Sequence, residues 1–437
     1  SVLGPLLAAD RGFHIHAANT RRPWPGNAQV LVSTLFLERG LPGYVTRPRL
    51  LDERPVGRIN SRLRAGDEWP EPEPLPDNAG LALVGCFLRG EGFILEPDEA
   101  NAFLKAHPAE AHVIRPFLTG DDLNNTPDQR ALRFVVDFRD MTLDEARCLP
   151  HALSIVEERV RPGRERLKTK GADAEHRKYW WRFANVRKEL RERAGRLGRA
   201  AGPRLNGEPR LLATARVSKH SSFAFVPASF APSEQVVVFP LASSTAFAVL
   251  QSRVHRVWVA LQATRMGEGI RYSAGDCFLP FPFPERDPRA VLPGLESIGQ
   301  RLYDARAALM RERGVGLTAI YNLLAGESPC EPAIGQLREL CRELDRAVLD
   351  AYGWTDIAVP PFVEVDQDFE DAVAGRLFAL NAARAATSAR PRPGETRAAM
   401  HGSRGTASAG PRKARPRAAK PGTTTTASTA SRKRSEG

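Results

Sequence analysis

Residues 210–265 read RLLATARVSKHSSFAFVPASFAPSEQVVVFPLASSTAFAVLQSRVHRVWVALQATR, and this stretch limits the architecture more than any other. Its first part is rich in β-branched and aromatic residues broken by turn residues, which predicts strands. Its last part, STAFAVLQSRVHRVWVALQATR, predicts a helix. A chain holding both side by side is of mixed α/β class. The longest apolar runs, AQVLVSTLFL and QVVVFPLASSTAFAVL, are too short or too hydroxyl-rich to span a bilayer. No signal peptide is evident, so no membrane partner and a cytoplasmic location are expected.

Four regions follow from composition. Residues 1–115 are strand-like at GFHIHAA and NAQVLVSTLFLERG, with RPWPGN as a turn between them. No helix of useful length is expected before about residue 98. Residues 116–290 form a second, mixed α+β unit. It contains a predicted helix at TLDEARCLPHALSIVEERVRPGRERL, where Thr142 and Glu145 have capping-box spacing. A second helix is expected at KYWWRFANVRKELRERAGRL. Residues 291–383 are mostly helical, with AIGQLRELCRELDRAVLDAYGW the clearest case. Residues 384–437 collapse to Ala, Arg, Pro, Ser, Thr and Gly, a composition expected to stay disordered.

The net charge of +12 is unevenly placed. Residues 158–220 carry +12, residues 384–437 carry +11 and the remainder carries −11. Segregation of this kind points to a polyanionic partner at a defined place. The five cysteines, Cys86, Cys148, Cys277, Cys330 and Cys341, are scattered with no CxxC, which argues for a reducing compartment and against disulfides or structural zinc.

Inside the basic segment stands YWWRF, residues 179–183. On a helix, Trp180, Phe183, Arg187 and Leu190 would share a face. Trp181 would stand about 100° away. Two readings of Trp181 stay open: a core ring, or a ring against a nucleic-acid backbone flanked by Arg182 and its basic neighbours.

The ordered set YWWRFANVRKEL, ARVSKHSSFAFVP, SRVHRVW, RYS with a Phe/Pro block, and LDRAVLDAYGW resembles the C-terminal half of the MmeI-like, single-chain DNA methyltransferases of type IIG/IIL restriction–modification systems. Upstream, RPWPGNAQVLVSTLFLERG and LDERPVGRINSRL resemble the last strands of that family's methyltransferase domain and the loop after them, and HVIRPFLTGDDLNN resembles the entry to its target-recognition domain. The resemblance covers about residues 1–383. It implies the end of a Rossmann-like catalytic domain, then a target-recognition domain, then a helical region. It implies methyl transfer from S-adenosylmethionine to adenine N6, double-stranded DNA as partner, and a role in restriction or phage defence. The residues expected to contact DNA are Trp181 and Arg182 in the basic segment, and Arg216, Ser218, Lys219, Arg253, His255, Arg265, Arg271, Tyr272 and Ser273 in and around the resembling motifs.

Such an enzyme needs a Gly-rich loop for the methyl donor and an Asn/Asp/Ser-Pro-Pro-aromatic motif to grip the flipped base. Neither occurs in this sequence. VPPFVEV, residues 359–365, has Val359 where a hydrogen-bonding side chain must stand, and reads as a structural loop. GEGF and GEG lack a strand–loop–helix context. His14 and His16 share a strand face without an evident third metal ligand, so no metal is expected. SKHSS has no placed carboxylate. The expectation is a chain that recognises DNA, has no catalytic or cofactor-binding residues of its own, is inactive alone, and works with a catalytic region N-terminal to it. The alternative is a stand-alone specificity module serving a separate catalytic chain.

Overall fold

The computed structural model describes residues 3–7, 12–27, 31–39, 48–199, 202–266, 269–326 and 331–388. The expected disordered tail beyond Ser388, Cys330 and the first two residues of GEG lie outside the described residues.

The N-terminal sheet is built from β1 (Phe13–Pro23), β2 (Leu31–Arg39), β3 (Arg49–Leu51) and β4 (Arg54–Val56), in the order β2-β1-β3-β4. β1 runs antiparallel to β2 and parallel to β3. The β3–β4 hairpin turns on Asp52 and Glu53, both at positive φ (48° and 71°), as a two-residue hairpin turn requires. Asp52 then accepts hydrogen bonds from the backbone and hydroxyl of Thr20, both 2.7 Å, which locks the turn onto β1.

β5 (Leu83–Val84), β6 (Ile94–Leu95), β7 (Ile114–Leu118) and β8 (Arg133–Val136) come next. β9 (Arg204–Leu205), β10 (Glu208–Ala215), β11 (Val217–Ser218) and β12 (Phe223–Pro227) follow. β13 (Ala231–Pro232), β14 (Val236–Phe239), β15 (Thr264–Met266) and β16 (Gly269–Arg271) complete the set. They make a central sheet ordered β12-β10-β14-β5, a second sheet ordered β13-β7-β8-β6, and a small sheet ordered β11-β16-β15.

Among the described residues there are three apolar clusters, the smallest around Ile15, Ala18, Leu51 and Ile59 of the N-terminal region. The largest joins the central sheet to helices Ser244–Gln251, Arg253–Gln262, Pro293–Arg313, Pro332–Ala351 and Gln367–Ser388. The second joins the second sheet to helices Pro97–Ala106 and Pro150–Arg159. β5 pairs with β14 and β6 with β8, so residues 83–95 are built into the same sheets as residues that follow 116. The last helix ties the ends together: Arg64 pairs with Glu370 (2.9 Å) and Asp371 (3.1 Å), and Trp69 stacks on Phe378 at 5.0 Å.

Several predicted elements form as expected. The capping box at Thr142 and Glu145 is present, with both reciprocal hydrogen bonds made. The helix over AIGQLRELCRELDRAVLDAYGW runs Pro332–Ala351, and Gly353 follows at φ 75°. Three predicted helices are interrupted. TLDEARCLPHALSIVEERVRPGRERL becomes Leu143–Arg147, Pro150–Arg159 and Arg161–Glu165, because Pro150 and Pro162 begin new helices rather than continuing old ones. STAFAVLQSRVHRVWVALQATR breaks at Ser252, whose extended backbone (φ −66°, ψ 159°) lets its hydroxyl cap the next helix. KYWWRFANVRKELRERAGRL is helical only from Lys188; residues 179–187 are irregular, and Asn185 bridges to Phe87.

Among the described residues, no helix is long and apolar enough to cross a membrane, and no group of His, Cys, Asp and Glu is arranged to hold a metal ion. The described cysteines, Cys86, Cys148, Cys277 and Cys341, are free.

Candidate nucleic-acid interface

The irregular 179–187 segment decides the fate of the tryptophans. With no helix to set faces, both rings turn inward: Trp180 is 8% exposed and Trp181 is 5% exposed. The Trp181 indole donates to the Met141 carbonyl at 2.9 Å, satisfying the one polar atom a buried indole carries. Arg182 donates to the same carbonyl at 2.8 Å and lies over Tyr179 and Trp181. Trp181 therefore sits in the core, and half-buried Arg182 shares the carbonyl that holds it.

Three more of the expected contacts, Arg253, His255 and Tyr272, are buried. Arg253 is buried. Its Nε meets Asp345 Oδ2 at 2.5 Å, and its two terminal nitrogens donate to the carbonyls of Pro360 and Pro361 at 2.7 and 3.0 Å. His255 is buried with Nε2 3.1 Å from the hydroxyl of Tyr272, itself buried. Burial drives the His255 pKa down to about 3, so the ring stays neutral. Trp258, from the same motif, is buried and donates to the Cys277 carbonyl at 3.1 Å. The motifs SRVHRVW and RYS thus build the scaffold: they join the helix Arg253–Gln262 to the core that supports the small sheet.

Of the remaining residues, Ser218, Arg265 and Arg271 lie on the strands of that sheet and Arg216, Lys219 and Ser273 flank them. Val217 pairs with Arg271 and Arg271 with Thr264, while Ser218 pairs with Ile270 and Ile270 with Arg265. Opposed residues of antiparallel strands share a face, and neighbours along a strand alternate. One face therefore carries Val217, Thr264, Met266 and Arg271, all exposed. Lys219, one residue past β11, is exposed beside it. The other face carries Ile270, packed on the main core, and half-buried Ser218. Arg265 belongs to that second face but lies on the edge strand, exposed. Arg216 is half-buried; its carbonyl accepts the Tyr272 N–H at 2.8 Å and its N–H donates to Gln235 at 2.7 Å, which hangs the sheet from β10. Ser273 caps the short turn Ala274–Phe278.

The sequence reading did not single out Val217, Thr264 and Met266. Their exposure depends on pairing with β16, and a three-residue strand is too short for alternation to reveal it. The result is an exposed surface that carries two cations, a hydroxyl and two apolar groups. Such a set can hydrogen-bond phosphates or base edges and touch a thymine methyl.

Residues 83–285 match the MmeI target recognition domain family. That span starts at residue 83, where β5 joins the central sheet. It includes both larger sheets and the whole β11-β16-β15 surface. Among solved structures, the chain is similar to the type IIL restriction-modification enzyme MmeI in complex with DNA, with a TM-score of 0.56 and 17% identity. The match covers 88% of this chain and 48% of that one, so the chain spans about half the length of MmeI. No curated protein matches it.

S-adenosylmethionine is the cofactor that the resemblance implies, and among the described residues neither the Val359–Phe362 segment nor GEGF fits it. In the Val359–Phe362 segment, the Pro360 and Pro361 carbonyls are occupied by Arg253. In GEGF, Phe93 is fully buried, and a Cβ on Gly92 would lie 2.7 Å from the Arg159 carbonyl, so this loop is packed against a helix with no room for a ligand.

Proposed function

We propose that this chain reads DNA sequence for a site-specific adenine methyltransferase of a restriction–modification system. The exposed face of the small sheet, with Arg271 and Lys219 as its cations, enters the DNA. The observation that supports the reading most is that Arg271 shares an exposed sheet face with Val217, Thr264 and Met266, next to exposed Lys219, inside the span matching the MmeI target recognition domain. Arg271 on a paired strand has a defined direction, as bidentate recognition of a guanine edge demands. Arg265 and the basic segment around residues 158–220 add phosphate contacts. Methyl-donor binding and the grip on the adenine belong to residues outside this sequence, so the chain by itself transfers no methyl group.

The test is binding of this chain to a randomised duplex library, followed by the same selection with Arg271→Ala. Enrichment of a defined motif that relaxes at one position in the variant supports the reading. A wild-type chain with no sequence preference at any salt concentration overturns it. Incubation with labelled S-adenosylmethionine and mixed DNA tests the second part: transfer above background contradicts it.

A further inference from the structure

A second concavity lies at the opposite end of β10 from the small sheet. Residues at the start of β10 line it, whereas β11 follows the end of the strand, roughly 20 Å further along at the rise of a β-strand. The cavity measures about 550 Å³, and four of its lining side chains are arginines: Arg115, Arg139, Arg187 and Arg191.

Two of the four have structural partners that use their donors. Arg115 donates to Asp137 at 2.7 Å and to the carbonyls of Ser229 and Phe230 at 2.9 and 2.7 Å. Arg187 donates to the Gly85 carbonyl at 3.0 Å. The buried acid of the cavity, Asp137, has both oxygens engaged, one by Arg115 and the other by the Arg139 backbone N–H at 2.9 Å. Glu208, the other acid in the lining, is exposed. Arg191 reaches Asp140 at 2.6 Å through one terminal nitrogen, but its other, Nη1, is buried without a partner among the described residues. Arg139 Nε is buried without one as well. A buried donor left unmatched is costly, and both of these belong to residues that line the cavity.

The backbone supplies an independent sign. Arg139 and Arg187 have φ of 56° and 45°, left-handed conformations that are rare for a long side chain and persist where the surroundings impose them. Burial, and then the charge of Arg115, lower the Arg139 pKa, so an anion here would relieve both. The Cys86 thiol on the wall contributes no competing negative charge, since burial, together with Asp137, pushes its pKa up to about 12.

We infer that this cavity binds a phosphate group, with Arg139 and Arg191 as the ligating residues. Guanidinium forks match phosphate oxygens in geometry, and the volume is that of a nucleotide-sized ligand. The site lies away from the proposed base-reading face, but Arg191 belongs to the basic segment to which the proposed function gives phosphate contacts, so the backbone-phosphate arm of the inference rests on that reading. The phosphate belongs either to a free nucleotide or to the DNA backbone.

The experiment measures binding of inorganic phosphate, pyrophosphate and ADP to the full chain by calorimetry. It is repeated with Arg139→Gln, Arg139→Lys and Arg191→Gln after circular dichroism confirms that each is folded. The expected result is pyrophosphate or ADP binding that weakens at least tenfold in both Gln variants, is partly retained in Arg139→Lys, and is unchanged in Arg271→Ala. Saturating unphosphorylated duplex DNA then distinguishes the sources: displacement of ADP identifies a backbone phosphate, and undisturbed ADP binding identifies a free ligand. No binding of any probe at millimolar concentration, or wild-type binding by folded Arg139→Gln and Arg191→Gln, overturns the inference.

Discussion

Arg253 and Asp345 form a buried ion pair in which one carboxylate takes two hydrogen bonds from one residue. The Arg253 side chain donates to Oδ2 at 2.5 Å and its backbone N–H donates to Oδ1 at 2.7 Å. The pair fixes the first turn of helix Arg253–Gln262 against helix Pro332–Ala351. Removing one partner of a buried pair strands the other charge. Asp345→Ala is expected to cost about 3–5 kcal/mol in urea unfolding. It should leave the DNA preference of the folded fraction unchanged. A shifted preference with little loss of stability would return Arg253 to the DNA surface.

Arg271 and Lys219 behave in the opposite way. Both are exposed, so alanine at either should hardly move the melting temperature. On the proposed reading, Arg271→Ala loses about 1–3 kcal/mol of discrimination at one base position. Lys219→Ala, if its contact is to phosphate, weakens all sequences alike and lowers the salt slope by about one unit. Binding to single-base variants of the site at two salt concentrations checks both. Wild-type behaviour of both variants would place the DNA on another face.

The tryptophans should report on stability alone. Trp180→Ala is expected to cost about 3–5 kcal/mol as a large core truncation. Trp181→Phe keeps most of the packing but leaves the Met141 carbonyl without its indole donor. Arg182 still serves that carbonyl, so the cost should stay near 1 kcal/mol. Denaturation midpoints of the two variants test this order, and equal losses would contradict it.

His255 should make the fold acid-sensitive. Its folded pKa is about 3, below the ordinary value of 6.5, so the unfolded chain binds this proton more readily. The stabilisation is complete above pH 6.5 and is lost as pH falls toward 3, by about 1.4 kcal/mol for each unit in that window. Unfolding free energy measured from pH 7.5 to 4.5 should fall more steeply for the wild type than for His255→Gln. Parallel curves would show that the ring is solvated.

The basic C-terminal segment should act only through charge. Residues 389–437 carry +10, and their deletion is expected to flatten the salt dependence of DNA affinity without altering sequence preference. The cut belongs after Ser388 and not at 384, because Arg384 donates to the carbonyls of Phe283 and Pro284 at 2.6 and 2.9 Å. Loss of preference on deletion would assign the segment a role in reading the site.

What the sequence determined by itself is what depends on near neighbours. The Thr142–Glu145 capping box, the helix Pro332–Ala351 with glycine after it, and the strands flanking RPWPGN all follow from spacings of a few residues. Motif order likewise pointed to the MmeI-like target recognition domain, which residues 83–285 match. The tertiary structure alone decided which motif residues face out. Arg253 and His255 look like surface polar residues beside a helix start, and their burial depends on Asp345, 92 positions away, and Tyr272, 17 positions away. Trp181 lost its helical face because Arg187 takes a left-handed backbone and Asn185 bridges to Phe87, a pairing across about a hundred residues. Arg271 and Arg265 were separated onto opposite faces by a register of three-residue strands. Periodicity is local, whereas burial of a polar side chain is set by a partner that the fold brings from far along the chain.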